Sequence, residues 1–174
     1  MSWEIERRFL VRVDAALWFR LGSGHLLRQG YVRHLDPSLR IRVGEERGPV
    51  LASKTGSGIR RQEFEVVVPE EIAEALFHAA EDRVVKKVRW TLEAWELDRF
   101  MGALKGLALM EIELGHELDP LPESPSGVHI VSEVTDDNRF LSSSLAQLSH
   151  SQQRAFVRKV YEEVKGWERL NASD

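Results

Sequence analysis

No cysteine occurs in the chain, which excludes disulfides, thiolate metal sites and cysteine nucleophiles. No apolar run reaches the roughly 18 residues that a membrane-spanning helix needs. The opening Met1-Ser2-Trp3-Glu4 lacks a basic segment followed by an apolar stretch, so no secretory leader is expected and the default address is cytoplasmic. There is no excess of cations either. The 24 Lys and Arg stand against 28 Asp and Glu, a net charge of −4, which argues against a nucleic-acid partner. Internal repeats at solenoid or propeller periods are missing. The one Pro- and Ser-rich break, Pro120 to Gly127, is too short to link two domains, so a single domain over 1–174 is expected. With 43% apolar residues the chain has enough to build a core, which excludes disorder.

What is present is alternation. Strands are expected at Glu4 to Val11, Leu26 to Arg33, Ser38 to Val43, Val50 to Thr55, Arg60 to Val68, Val84 to Leu92, Ala94 to Phe100 and Gly106 to Leu114. A short helix is expected from Val13 to Arg20, with Asp14 as its cap. A second opens at Pro69-Glu70-Glu71 and runs to Ala80, with Pro and acids at the end that favours them. The C-terminal part reads as helix at Asp137 to Leu148 and again at Gln152 to Trp167. In the last of these, Phe156, Val160 and Val164 share one face, expected to pack on the barrel. The result is an α+β chain, mainly β, whose short, evenly spaced strands point to a sandwich or barrel.

Side chains two apart on a strand share a face. On that basis each strand has one apolar and one charged face, and the charges are mostly like-signed: Glu4 and Glu6, then Arg8; Arg40 and Arg42; Lys54; Arg61, then Glu63 and Glu65; Lys87 and Arg89; Glu96 and Asp98; Glu111 and Glu113. A solvated outer face would mix signs, because like charges side by side repel. A barrel with a charged lumen accounts for the pattern better. Such a lumen must be wet, paired or filled. A polyphosphate with Mg²⁺ or Mn²⁺ meets both halves of it. Guanidinium forks and ammonium groups suit phosphate oxygens. The carboxylates of Glu4, Glu6, Glu111 and Glu113 are hard ligands for such ions.

The run Glu4-Ile5-Glu6-Arg7-Arg8-Phe9-Leu10-Val11 resembles the ExExK motif that opens the CYTH proteins, or triphosphate tunnel metalloenzymes. The likeness continues through Gln29-Gly30-Tyr31, Leu39-Arg40-Ile41-Arg42, Lys54 and Gln62-Glu63-Phe64-Glu65. It extends through Lys86-Lys87-Val88-Arg89-Trp90, Trp95-Glu96-Leu97-Asp98, Glu111-Ile112-Glu113-Leu114 and Glu133-Val134-Thr135-Asp136-Asp137. It spans about residues 3 to 150, leaving a helical extension near 151–168. The resemblance implies an eight-stranded antiparallel closed β-barrel, a tunnel with a charged lumen, helices packed outside it and at the C-terminus, and metal-dependent hydrolysis of a small triphosphate. The short bacterial inorganic triphosphatases are the most similar members. The family's lysine in ExExK is Arg8 here, which keeps the charge but is not a tunable amine.

On this reading Arg8, Arg40, Arg42, Lys54, Arg61, Lys87 and Arg89 hold phosphate. Glu4, Glu6, Glu111 and Glu113 hold Mg²⁺ or Mn²⁺. Glu4, Glu6, Lys87 and Glu113 carry the catalysis, while Glu63, Glu65, Glu96, Asp98 and Asp136 support them. A class IV adenylyl cyclase and a polyphosphate-binding module without turnover are the alternatives. No membrane or nucleic-acid partner is expected, and a homodimer is open. The six histidines share no ligand spacing and read as surface or satisfied residues. Lys54-Thr55-Gly56-Ser57-Gly58 reads as a hairpin turn, and Ser142 to Ser144 lack a nucleophile's context.

Overall fold

A computed structural model describes residues 2–44 and 47–171, with side chains as far as Glu163. The alternation at the N-terminus gives a long first strand, β1 (Ser2–Val13). The other expected strands follow within a residue or two: β2 (His25–Arg33), β3 (Ser38–Val43), β4 (Val50–Thr55), β5 (Arg60–Val67), β6 (Val84–Leu92), β7 (Trp95–Phe100) and β8 (Ala108–Glu113). They pair antiparallel in the order β5-β4-β3-β2-β6-β7-β8-β1, and β1 pairs back onto β5 to close the barrel.

Length lets β1 serve three neighbours. Ser2 to Ile5 pair with β5, Glu6 to Leu10 with β8, and Phe9 to Val13 with a ninth strand, β9 (Val128–Glu133), outside the barrel. No strand is expected from the sequence at β9. It is only six residues long, follows the Pro/Ser-rich break, and buries little more than Val128, so its alternation is weak.

The helices cover the outer wall. In α1 (Ala15–Arg20), Asp14 stands at the cap position but makes no capping bond; its carboxylate instead meets Nε2 of His129 on β9 at 3.0 Å. In α2 (Glu70–Ala80), Ala73 and Phe77 lie on Ile41. A Cβ on Gly30 of β2 would come within 2.8 Å of the Phe77 ring, so this close approach requires glycine. The expected helix from Asp137 to Leu148 is broken. A 3₁₀ turn at Asn138–Phe140, capped by the Asp137 carboxylate, gives way to an extended Leu141 and then α3 (Ser142–Gln147). Three consecutive serines are weak helix formers, so the segment does not fuse into one helix. The last helix, α4 (His150–Asn171), starts two residues before the expected Gln152. Ser149 and Gln152 cap it reciprocally: Ser149 N donates to Gln152 Oε1 at 2.8 Å, and Gln152 N donates to Ser149 Oγ at 3.3 Å.

Phe156 and Val160 pack inward from α4, as expected, while the Val164 and Trp167 side chains lie outside the described residues. Their partners are Leu10, Val85, Phe100, Leu109, Phe140 and Leu145. Leu10 shares a strand face with Glu6 and Arg8, and Leu109 shares one with Glu111. One end of the inner wall is therefore apolar and closed by α3 and α4. A second apolar layer (Phe9, Val11, Trp95, Leu97, Met110, Ile112) lies outside the barrel under α1 and β9. Among the described residues no helix is long and apolar enough to cross a membrane.

Candidate active site

Strand alternation turns the charged faces inward. Glu4, Glu6 and Arg8 of β1, Arg40 and Arg42 of β3, Lys54 of β4, and Arg61, Glu63 and Glu65 of β5 line one cavity of about 1070 Å³. Lys87 and Arg89 of β6, Glu96 of β7, and Glu111 and Glu113 of β8 line its remaining wall. Asp98 is fully buried in that wall and reaches the cavity only through the cations it holds. Asp136 is elsewhere. It sits with Glu133 and Thr135 in a separate shallow depression, near Gly58.

The lumen is a lattice of ion pairs. Arg8 donates to Glu111 and to Glu6, each at 2.6 Å, and Arg61 donates to Glu6 at 2.7 Å. Lys87 Nζ donates to Asp98 at 2.5 Å. Arg89 forks onto both oxygens of Asp98 at 2.6 Å and also donates to Glu111 at 2.9 Å and to Glu96. Lys54 donates to Glu4 at 2.6 Å. Arg42 reaches Glu65 at 3.1 Å, and Arg47, from the β3–β4 loop, reaches it at 2.5 Å.

Two members stand apart. Arg40 makes long contacts, 3.4 Å to Glu63 and 3.3 Å to Glu65, lies against the Tyr31 hydroxyl, and has its Nε–H buried with no acceptor. Arg61 Nε is in the same condition. Buried donors are almost always paired, so two unmet guanidinium donors in one cavity mark a place for an anion. Glu113 is the counterpart of opposite sign: it has no basic partner among the described residues and stands directly opposite Glu6 on the β1–β8 ladder. Like charges so placed repel unless a cation joins them.

The field of the lattice shifts its members. Burial alone would raise Glu111, but Arg8, Lys87 and Arg89 outweigh it and hold the carboxyl well below the usual range. Burial and the neighbouring Arg89 push the Lys87 ammonium down, against the pull of Asp98. Burial raises Glu63 and Glu96. The sign for Glu111 sets a prediction. A depressed carboxylate contributes stability above its unfolded value of 4.5 and loses it as pH falls through the lower folded value. The melting temperature is expected to drop below about pH 4.5, with a shallower slope in Glu111→Gln. Equal slopes in the two proteins would refute the role given to Glu111.

Some lining residues escaped the sequence reading. Tyr31 and Gln29 are buried in the cavity wall, the Tyr31 hydroxyl 3.5 Å from Gln29 Oε1, and burial pushes the phenol up. Their register sets Tyr31 opposite Arg40 and Gln29 opposite Arg42, on the inward face of the wall. Alternation from Leu27 on β2 would have found them, had charge not been the only marker followed. His25, His34 and Ser142 to Ser144, set aside from sequence, also line the cavity.

No ready-made group of three metal-ligating side chains exists among the described residues. Cations engage one oxygen each of Glu4 and Glu6 and both of Glu111, whereas no described cation bonds Glu113. The donors still suit a hard divalent ion. All four are carboxylates, and the Glu6–Glu113 opposition is relieved by a cation between them.

No protein-family model matches the chain. An inorganic triphosphatase of Acetivibrio thermocellus is 37% identical over 153 residues, covering 84% of this chain and 95% of that protein. An inorganic triphosphatase of Nitrosomonas europaea is 33% identical over 151 residues, covering 82% and 96%. The crystal structure of the inorganic triphosphatase NE1496 superposes with a TM-score of 0.53 at 32% identity, covering 86% of this chain and 97% of that one.

Proposed function

The chain belongs to the bacterial inorganic triphosphatases of the CYTH-type tunnel fold, and from that membership we propose that it hydrolyses inorganic tripolyphosphate to pyrophosphate and phosphate with Mg²⁺ or Mn²⁺. The observation that carries this reading is the convergence of eight Lys and Arg side chains, among the described residues, on one cavity, two of them, Arg40 and Arg61, with a buried N–H that lacks an acceptor.

In the reaction, water attacks the terminal phosphorus, the bridging P–O bond breaks, and pyrophosphate leaves with the bonding pair. Phosphoryl transfer of this kind needs chiefly positioning and neutralisation of charge. Arg8, Arg40, Arg42, Lys54, Arg61 and Arg89 supply both by holding phosphate oxygens. Lys87 joins them and stabilises charge on the leaving oxygen. Glu4, Glu6, Glu111 and Glu113 would hold the metal, which when bound polarises phosphoryl oxygens. Glu63, Glu65, Glu96 and Asp98 aim the cations they bond. Asp136, outside the cavity, takes no part.

Phosphate release from tripolyphosphate under either metal tests the proposal. Cyclic AMP from ATP would replace it with a cyclase, and tight tripolyphosphate binding without release would replace it with a binding module. Arg40→Ala removes a cation with an unmet donor. It is expected to weaken substrate binding by about 1.5–3 kcal/mol, one charge-assisted hydrogen bond, read as a raised KM with an unchanged circular dichroism spectrum.

A further inference from the structure

Acids hold Arg40 loosely. Its contacts to Glu63 and Glu65 are 3.4 and 3.3 Å long, whereas Arg8 and Arg61 meet Glu6 at 2.6 and 2.7 Å. The neighbour that the fold sets directly across the β2–β3 ladder from Arg40 is uncharged: it is Tyr31. Tyr31 packs with Leu10, Phe100 and Leu145 in the apolar cluster that closes one end of the barrel, and it is 4% exposed. The same residue lines the cavity. There its hydroxyl lies against the Arg40 guanidinium and the hydroxyl of Ser142, the first residue of α3, and 3.5 Å from Gln29 Oε1. Burial pushes the phenol up, so it stays protonated and neutral.

We propose that Tyr31 is a positioning residue for Arg40, with Ser142 fixing the Tyr31 hydroxyl from α3. The inference rests on the triphosphatase reading and adds two residues to that site. A guanidinium has donors only, so the hydroxyl accepts from it. With Arg40 and Ser142 as donors and Gln29 as acceptor, both lone pairs and the one proton of the hydroxyl are placed. None is left for phosphate, so Tyr31 acts through Arg40 rather than on the substrate.

The choice of a phenol has a physical reason. A carboxylate that aimed Arg40 would also neutralise it, and an incoming anion would have to compete with that acid. Lys54 is in this position, bonded to Glu4 at 2.6 Å. A hydroxyl on a ring held by the core sets the direction of Arg40 and leaves its charge and its Nε–H for an anion. Holding a long side chain in place beforehand also lowers the ordering cost that binding must meet. Through Ser142, the helix over the closed end and the guanidinium in the cavity share one network.

Steady-state kinetics with tripolyphosphate reads this directly. Tyr31→Phe keeps the ring and removes only the hydroxyl. KM should rise about three- to tenfold, the worth of one hydrogen bond, while kcat stays nearly constant. Ser142→Ala should raise KM in the same direction. In an Arg40→Ala background, adding Tyr31→Phe should change KM by less than about twofold, because the group it aims is gone. An unchanged KM in Tyr31→Phe overturns the inference. So does a rise that adds in full to that of Arg40→Ala, which would make Tyr31 a substrate contact or a support of the fold. Calorimetric titration with tripolyphosphate, read without turnover, separates this inference from the hydrolase reading. Wild-type protein that binds tripolyphosphate but releases no phosphate ends that reading alone, and the affinity change in Tyr31→Phe still decides the role of Tyr31. Wild-type protein that does not bind it overturns both.

Discussion

Asp98→Asn is expected to lower folding stability by about 3–5 kcal/mol, the cost of leaving buried charge without its partner. The Asp98 side chain is 1% exposed and takes bonds from Lys87, 3% exposed, and from Arg89. Its charge holds two cations in a wall that water scarcely reaches. Lys87 is already pushed down by burial and by Arg89, against the pull of Asp98 and Glu111. An amide keeps the shape but not the charge. Urea unfolding should show a lower midpoint with an unchanged slope, which separates lost stability from a changed unfolded state. Replacing the pair, as Lys87→Met with Asp98→Leu, should return part of the stability, because apolar residues replace a buried ion pair at little cost while Arg89 still loses its fork onto Asp98. Turnover should not return with it if Lys87, which lines the cavity, holds phosphate as proposed. A loss under about 1 kcal/mol in Asp98→Asn would mean that water reaches this wall after all.

The lumen was legible because its marker has the period of a strand. Glu4, Glu6 and Arg8, or Glu111 and Glu113, stand two apart, and closure of the barrel turned these faces inward. Which cation meets which acid was not legible. Lys54 reaches Glu4 across 50 residues of chain, a pairing set by the β1–β5 closure rather than by any local pattern. The apolar end was hidden for a related reason. Leu10 and Leu109 continue the inward faces of Arg8 and Glu111, and in sequence they appear only as the place where charge stops. Asp136 lies outside the cavity because it follows a strand that leaves the barrel. Val134 N still bonds Arg8 O, but β9 lies outside β1, and the chain beyond it turns toward Gly58. The break at Leu141 was not legible either, because apolar spacing does not register an extended residue between two helical turns.

Glu113→Gln is expected to weaken the metal response of the enzyme by at least tenfold to about a hundredfold, since even residues behind metal ligands cost that much. Every other acid in the lumen set bonds a lysine or arginine: Glu4 to Lys54, Glu6 to Arg8 and Arg61, and Glu111 to Arg8 and Arg89. Glu113 faces another carboxylate, Glu6, and, unlike the Glu96–Glu111 pair that shares Arg89, has no basic partner of its own among the described residues. A phosphate-binding cavity with no use for a metal would gain by an amide here, because repulsion across the β1–β8 pair would vanish. Glu113→Gln should therefore hold or raise thermal stability while it lowers turnover at limiting Mg²⁺ or Mn²⁺. Higher metal concentration should restore part of the rate. Glu6→Gln should lose turnover as well, but with lost stability, because it strands Arg8 and Arg61. Asp136→Asn should leave both properties unchanged. If Glu113→Gln keeps the wild-type metal dependence, the carboxylates of β1 and β8 are there to hold arginines, and the metal is held elsewhere.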